Sequence, residues 1–285
     1  MDQVQWYKSA VFVGDTPVPV YPGAAMPNPA NFALPPIAGN FGQYNYGDGA
    51  RSPVMTCEFA VRDVASEVLS STMFGYALTR SNDAAHDVSA VTGSTYSGVA
   101  LWDGYDGFTL ATPKFDAFTI GASYGSDIRY TARFCGCAPS AIGTTPTYPG
   151  WSSANLLRFD AVTFGGGLAN KVYDFNFSFS NNCIPKGVLN GTAYPVAWNA
   201  QMLTAGLQVT IGAQDTLPAD GTAVAFTITG SAGKTVVVTA LNPLWGNRDS
   251  RGVPAGPVHR TYTATLRPPN STPQSCPITV VSTSF

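Results

Sequence analysis

Between residues 172 and 182 the chain reads VYDFNFSFSNN, with Tyr173, Phe175, Phe177 and Phe179 alternating against Asp174, Asn176, Ser178 and Ser180. A period of two puts the four rings on one face of a β-strand and the small polar residues on the other. Similar strand patterns, bounded by Gly, Asp or Asn, run through PVMTCEFAVRD, GVALWDG, GFTLATPKFDAFTIGASYG and SDIRYTARFCGC in the first half. In the second half they run through LLRFDAVTFGG, AGLQVTIG, TAVAFTITGSAGKTVVVTALN and HRTYTATL. Two short helices are expected among them. Asp63 reads as the N-cap of one through VASEVLSS, with Val64, Val68 and Leu69 as its apolar face, and YPVAWNAQML would carry Trp198 and Met202 on the other.

Punctuation divides the chain. GDTPVPVYPGAAMPNPANFALPP holds Pro17, Pro19, Pro22, Pro27 and Pro29, whose fixed φ and missing N–H favour an extended loop or arm, a candidate for reaching a neighbouring subunit. CAPSAIGTTPTYPGWSS is rich in turn formers and reads as a linker. The expected organisation is mainly β, in two tandem sandwich or barrel domains with at most one short helix each. Residues 1–138 would form the first, with the arm at 14–40; 139–153 would be the linker and 154–285 the second. Similar strand punctuation in both halves supports this division.

Composition narrows the classes. Charged residues are 11 % of the chain, against roughly 25 % in typical globular proteins. With hydrophobic residues at 45 %, disorder is excluded and a surface largely covered by something else is implied. Residues 1–150 hold 7 Lys and Arg against 12 Asp and Glu, net −5, and residues 151–285 hold 8 against 5, net +3. Opposite signs suit halves that meet between subunits, although chance gives the same split. No run of Lys and Arg is dense enough for tight nucleic-acid binding. The apolar runs are too short for a membrane-spanning helix, and MDQVQWYKSA lacks the apolar stretch of a secretory signal, so a cytoplasmic start without membrane insertion is expected.

Candidate chemistry is sparse. The five cysteines, Cys57, Cys135, Cys137, Cys183 and Cys276, show neither a disulfide framework nor metal-ligand spacing. GASYG at 121–125 matches a nucleophile elbow, with His259 available later, but the IRYTARF that follows reads as a strand where the elbow needs a helix. GSAGKT at 230–235 resembles the end of a phosphate-binding loop, yet Ile228 stands where the first glycine belongs and a strand follows Lys234. A hairpin turn, with Gly230 and Gly233 supplying unusual dihedrals, is expected there. The expectation is no enzyme, no cofactor and no metal.

GYDGFTL, FDAFTIGASYG, IRYTARF, FDAVTFGG, VYDFNFSFSNN and AGLQVTI occur in this order, and the series ends on HRTYTATL. This succession resembles the two-domain tail tube proteins of long-tailed bacteriophages. The resemblance implies a structural virion protein, assembled in the host cytoplasm, whose subunits join strands around a ring. The rings stack into a hollow tail tube through which DNA passes to the host. Two tandem domains imply a trimeric ring and a single domain a hexameric one; the trimer is favoured. Its partners would be further copies of itself, other tail proteins at the tube ends, and DNA in transient non-specific passage. On this reading Asp174, Asn176, Ser178 and Ser180 are a candidate assembly or lumen-facing strand, while an ordinary solvated sheet face fits the same four residues. Alternative readings are a tail-tip adaptor, a capsid decoration protein, or a secreted carbohydrate-binding or adhesin β-sandwich; the last would call for an export signal and paired cysteines.

Overall fold

The computed structural model describes residues 10–14, 16–19, 53–63, 69–79, 88, 98–102, 107–142, 156–186, 194–246, 259–268 and 276–283. In chain order its strands are β1 (Ala10–Val13), β2 (Thr16–Pro19), β3 (Val54–Ala60), β4 (Val99–Trp102), β5 (Gly107–Leu110) and β6 (Lys114–Ser123). They continue as β7 (Arg129–Cys135), β8 (Pro139–Ile142), β9 (Val162–Phe164), β10 (Val172–Ser180), β11 (Ile184–Lys186) and β12 (Ala197–Asn199). The last are β13 (Thr204–Gly212), β14 (Val224–Thr229), β15 (Thr235–Ala240), β16 (Pro243–Gly246), β17 (His259–Leu266) and β18 (Ile278–Thr283). Helix α1 (Ser71–Leu78) is the sole α-helix among the described residues. The protein is mainly β, and no helix of the described residues is long and apolar enough to cross a membrane.

The centre is a seven-stranded antiparallel sheet in the order β16-β17-β13-β10-β6-β7-β3. Strand alternation gives it two unlike faces. On one, Phe118, Tyr130, Phe175, Phe177, Phe179, Leu207, Val209 and Ala264 are buried. That face is covered by two elements side by side. Phe74 of α1 meets Phe118 and Tyr130 edge-on, with ring centroids 5.4 and 6.2 Å away. Phe226 of β14 meets Phe175 and Phe177 at 5.0 and 5.8 Å, which packs the four-stranded sheet β18-β15-β14-β9 over β10 as the second layer of a sandwich. Each buried Phe contributes about 1.5–3 kcal/mol. A five-stranded sheet, β2-β1-β4-β5-β8, adds Val11, Val13, Val99 and Leu101 to the same core. Every described sheet is open; none closes into a barrel.

The central sheet draws β3, β6 and β7 from one side of residues 139–153 and β10, β13, β16 and β17 from the other, joined where β6 pairs with β10. At the start of that expected linker, Pro139–Ile142 form strand β8; residues 143–153 lie outside the described residues. The arm differs from expectation where it is seen. Thr16–Pro19 pair with β1 as an edge strand and Val18 is buried, an arrangement Pro17 and Pro19 permit because an edge leaves one row of N–H positions unpaired. Pro22, Pro27 and Pro29 lie outside the described residues.

The helix expected after Asp63 falls on residues 64–68, Val64 and Val68 among them, which lie outside the described residues. Helix α1 begins at Ser71, and its cap is Ser70, whose hydroxyl accepts from the Met73 N–H at 3.2 Å. The Asp63 carboxylate accepts from the Ser231 N–H at 2.7 Å. The second helix expectation is corrected. Around Trp198 the backbone is strand β12, because pairing with β11 places the indole against Cys135 and Cys183 and lets its N–H donate to Gly136 O at 2.5 Å. Met202, expected on the same helix, is exposed. The opening of α1 also covers a sheet edge: the Ser71 hydroxyl donates to Ser282 O at 2.6 Å and accepts from Ser282 N at 3.2 Å on β18.

Candidate assembly face

β10 is the middle strand of the seven, so Asp174, Asn176, Ser178 and Ser180 lie at the centre of the sheet's second face. Antiparallel pairing extends each of them into a row. Asn176 is flanked by Gly121 and Gln208, then by Arg129 and Thr263. Ser178 is flanked by Thr119 and Gly206, then by Thr131 and Thr265. Ser180 faces Ala117 and Thr204, and Asp174 faces Ser123 and Thr210. The face is therefore a carpet of hydroxyls, amides and glycines. It is flat beside β10 for a steric reason: a Cβ on Gly121 would stand 2.9 Å from Phe175 O, so no side chain fits there without a shift of backbone.

Its arginines are paired, and its central carboxylate is hydrogen-bonded. Arg129 Nη1 donates to Glu58 Oε1 at 2.7 Å. Arg133 Nη1 lies 3.1 Å from Oδ2 of the fully buried Asp116, an ion pair without hydrogen-bond alignment, while Asp116 Oδ1 accepts from the Cys183 N–H at 2.7 Å. Asp174 accepts from the Ser123 hydroxyl. The Thr210 and Thr261 hydroxyls bond to each other at 2.9 Å. Glu58, Thr119, Arg129, Asp174, Asn176 and Gln208 border a shallow depression of about 510 Å³.

Two features interrupt the expected pattern of β10. Tyr173 does not share the Phe face: Val172 pairs with Ile211 but Asp174 with Thr210, so Tyr173 is the extra residue of a bulge and its ring is exposed. It packs against His259, with ring centroids 4.2 Å apart. At the other end, the Asn pair divides its labour. Asn182 adopts the left-handed φ of 49° expected of a turn. Asn181 is completely buried, and its Nδ2 donates to Ala77 O at 2.9 Å and to Phe115 O at 3.1 Å, tying α1 to β6. Its backbone N–H donates to Asp116 O at 2.7 Å.

The two catalytic lookalikes have other partners. Ser123 ends strand β6, its hydroxyl bound directly to Asp174, and His259 stands two strands away from Asp174 across β13, about 10 Å at ordinary strand spacing. No imidazole stands between serine and carboxylate. GSAGKT is the β14–β15 connection, as expected of a hairpin, but the left-handed residues are Ala232 and Gly233, at 53° and 77°, and not Gly230. Its Ser231 N–H and the Lys234 ammonium, 4.0 Å from Asp63 Oδ1, are both directed at Asp63. A carboxylate of the same chain thus takes the place a phosphate would need. Cys135 and Cys183 pack with Trp198; hydrogen bonding to Cys183, then burial, pushes the Cys135 thiol up, and burial alone does so for Cys57. Among the described residues no cluster of three His, Cys, Asp or Glu could hold a metal.

One concavity had no signal in the alternation. Where β6 ends and β10 begins, Tyr124, Phe159, Phe164, Tyr173, Asp160, Thr163 and Asn170 line a cleft of about 590 Å³. A bulge cannot be read from a strictly alternating sequence, and the bulge is what turns Tyr173 outward. No protein-family model matches the chain, and no curated protein matches it either.

Proposed function

We propose that this chain is the subunit of a bacteriophage tail tube, a structural virion protein that assembles into rings which stack around a channel for DNA. The reading is supported by one observation above the others: a wide sheet face dominated by small, neutral polar side chains, backed by an aromatic core. Arg129 and Arg133, the cations on it, each stand beside a carboxylate. A conduit gains nothing from gripping its cargo, since each phosphate neutralised by Lys or Arg adds a salt-dependent hold on the duplex. Among the described residues β3 and β16 are the outer strands of that sheet. Closed rings consume such edges, which a monomer would carry as an aggregation hazard. On this reading Asp174, Asn176, Ser178 and Ser180 form the middle of the channel wall.

Electron microscopy of the purified protein tests the proposal. Stacked rings or tubes with a central channel of duplex width are expected, and class averages count the units: three-fold symmetry for two tandem domains per chain, six-fold for one. Monodisperse monomers at high concentration, or a solid particle without a channel, overturn it.

A further inference from the structure

The cleft at the end of β6 and the start of β10 is separate from the flat face and differs from it in chemistry. Tyr124 is 79 % exposed and Tyr173 42 %, although both carry large apolar rings. They are not loose side chains on unrelated loops. The Tyr124 N–H donates to Tyr173 O at 2.8 Å, which fixes the two backbones against each other, and Phe159 stands edge-on to Tyr124 with ring centroids 6.2 Å apart. Phe159 and Phe164 in turn pack on Phe175 of the core, so the wall behind the tyrosines is anchored.

The polar lining selects among ligands. Arg158 lies 3.5 Å from Asp127, so its charge is compensated. Asp160, Thr163 and Asn170 supply a carboxylate acceptor, a hydroxyl and an amide. A phosphate or other anion would meet Asp160 without a dedicated cation. A purely apolar ligand would strand the amide and the hydroxyl. What satisfies both halves of the lining is a neutral molecule with C–H faces for the rings and many hydroxyls for the polar groups. We propose that this cleft binds a neutral saccharide, one sugar ring lying on Tyr124 and its hydroxyls bonded to Asp160, Thr163 and Asn170. The site does not depend on the tube reading, because every residue used belongs to one chain.

Saturation-transfer NMR with maltohexaose, cellohexaose and N-acetylchitohexaose tests it on the full chain. Transfer to at least one of the three is expected, with Tyr124→Ala weakening binding about three- to tenfold and Tyr124→Phe leaving it within about twofold. Because the Tyr124 ring is exposed, the Ala variant is expected to melt with the parent, and Asn170→Ala provides a second test from the polar side of the cleft. Transfer to none of the three sugars, an affinity unchanged by both Ala substitutions, or transfer only to a peptide of sequence YPGAAMPNPANF overturns the proposal.

Discussion

Replacing Asn181 with Asp exchanges one NH₂ for an oxygen and leaves the shape unchanged. In the parent that NH₂ donates at 2.9 Å to Ala77 O and at 3.1 Å to Phe115 O from a side chain without solvent exposure. The substitution leaves two buried carbonyls without their donor, at about 1–3 kcal/mol each, so the loss is about 2–6 kcal/mol before any charge is counted. Ionising the new carboxyl in that position adds a further cost, so its folded pKa rises above the unfolded value of about 3.9. The native state then holds more protons than the unfolded state above that value, and stability falls as pH rises through the window between the two. Against a typical total of roughly 5–15 kcal/mol, Asn181→Asp is expected near the limit of folding at neutral pH and firmer near pH 4, relative to the parent at each pH. Urea titrations at both pH values measure this. The exposed Asn176→Asp, expected to change stability by about 0.5 kcal/mol or less, is the control. A midpoint for Asn181→Asp equal to the parent's at neutral pH, or a relative stability that rises with pH, refutes the reasoning.

Asn176→Lys places a cation two strands from Arg129, about 10 Å away, where repulsion in water is about 0.4 kcal/mol before salt screening. The fold should hold by circular dichroism while assembled tubes gain salt-sensitive retention of duplex DNA; an unchanged gel-shift midpoint contradicts a channel-wall role for β10. Asp63 is held below the usual carboxylate range by hydrogen bonding to Ser231, with a coulombic contribution from Lys234. Its stabilisation is present above the unfolded pKa and fades as pH falls through the folded one, so Asp63→Asn should lower the melting temperature at neutral pH and lose that effect in acid. Ser70→Ala should cost about 1 kcal/mol in denaturant midpoint measurements, and a neutral result would remove Ser70 as the helix cap.

Period-two alternation located β3, β6, β7, β10, β13 and β17 because each buries one face and leaves the other exposed or half-buried. It missed β1, whose residues are buried throughout, leaving no polar partner to mark a period. It also missed β16 and β18, whose positions depend on pairing with distant β17 and β15. Helix α1 begins where the expected one ends, at Ser71, and the reach of Asp63 to Ser231 across the fold has no local signal. The role of Asn181 had no signal, because nothing in its neighbours announces that Ala77 and Phe115 need a donor. The small polar residues of β10 were legible as one face. Their place at the centre of seven strands was not, since it depends on β6 crossing from the first half of the chain to pair with β10.

The contact between Ser71 and Ser282 has a consequence for how growth is confined. A single hydroxyl there answers both the N–H and the C=O of one residue on an outer strand, as an incoming strand would. Any chain that sought to extend the four-stranded layer at β18 would find that rung occupied and the start of a helix in its path. Off-pathway fibres that propagate through this layer must first displace α1, together with the Phe74 ring that anchors it to Phe118. The same eight-residue helix therefore serves as core cover and as a terminator, and Ser71→Gly would remove the second function while sparing the aromatic contact that provides the first.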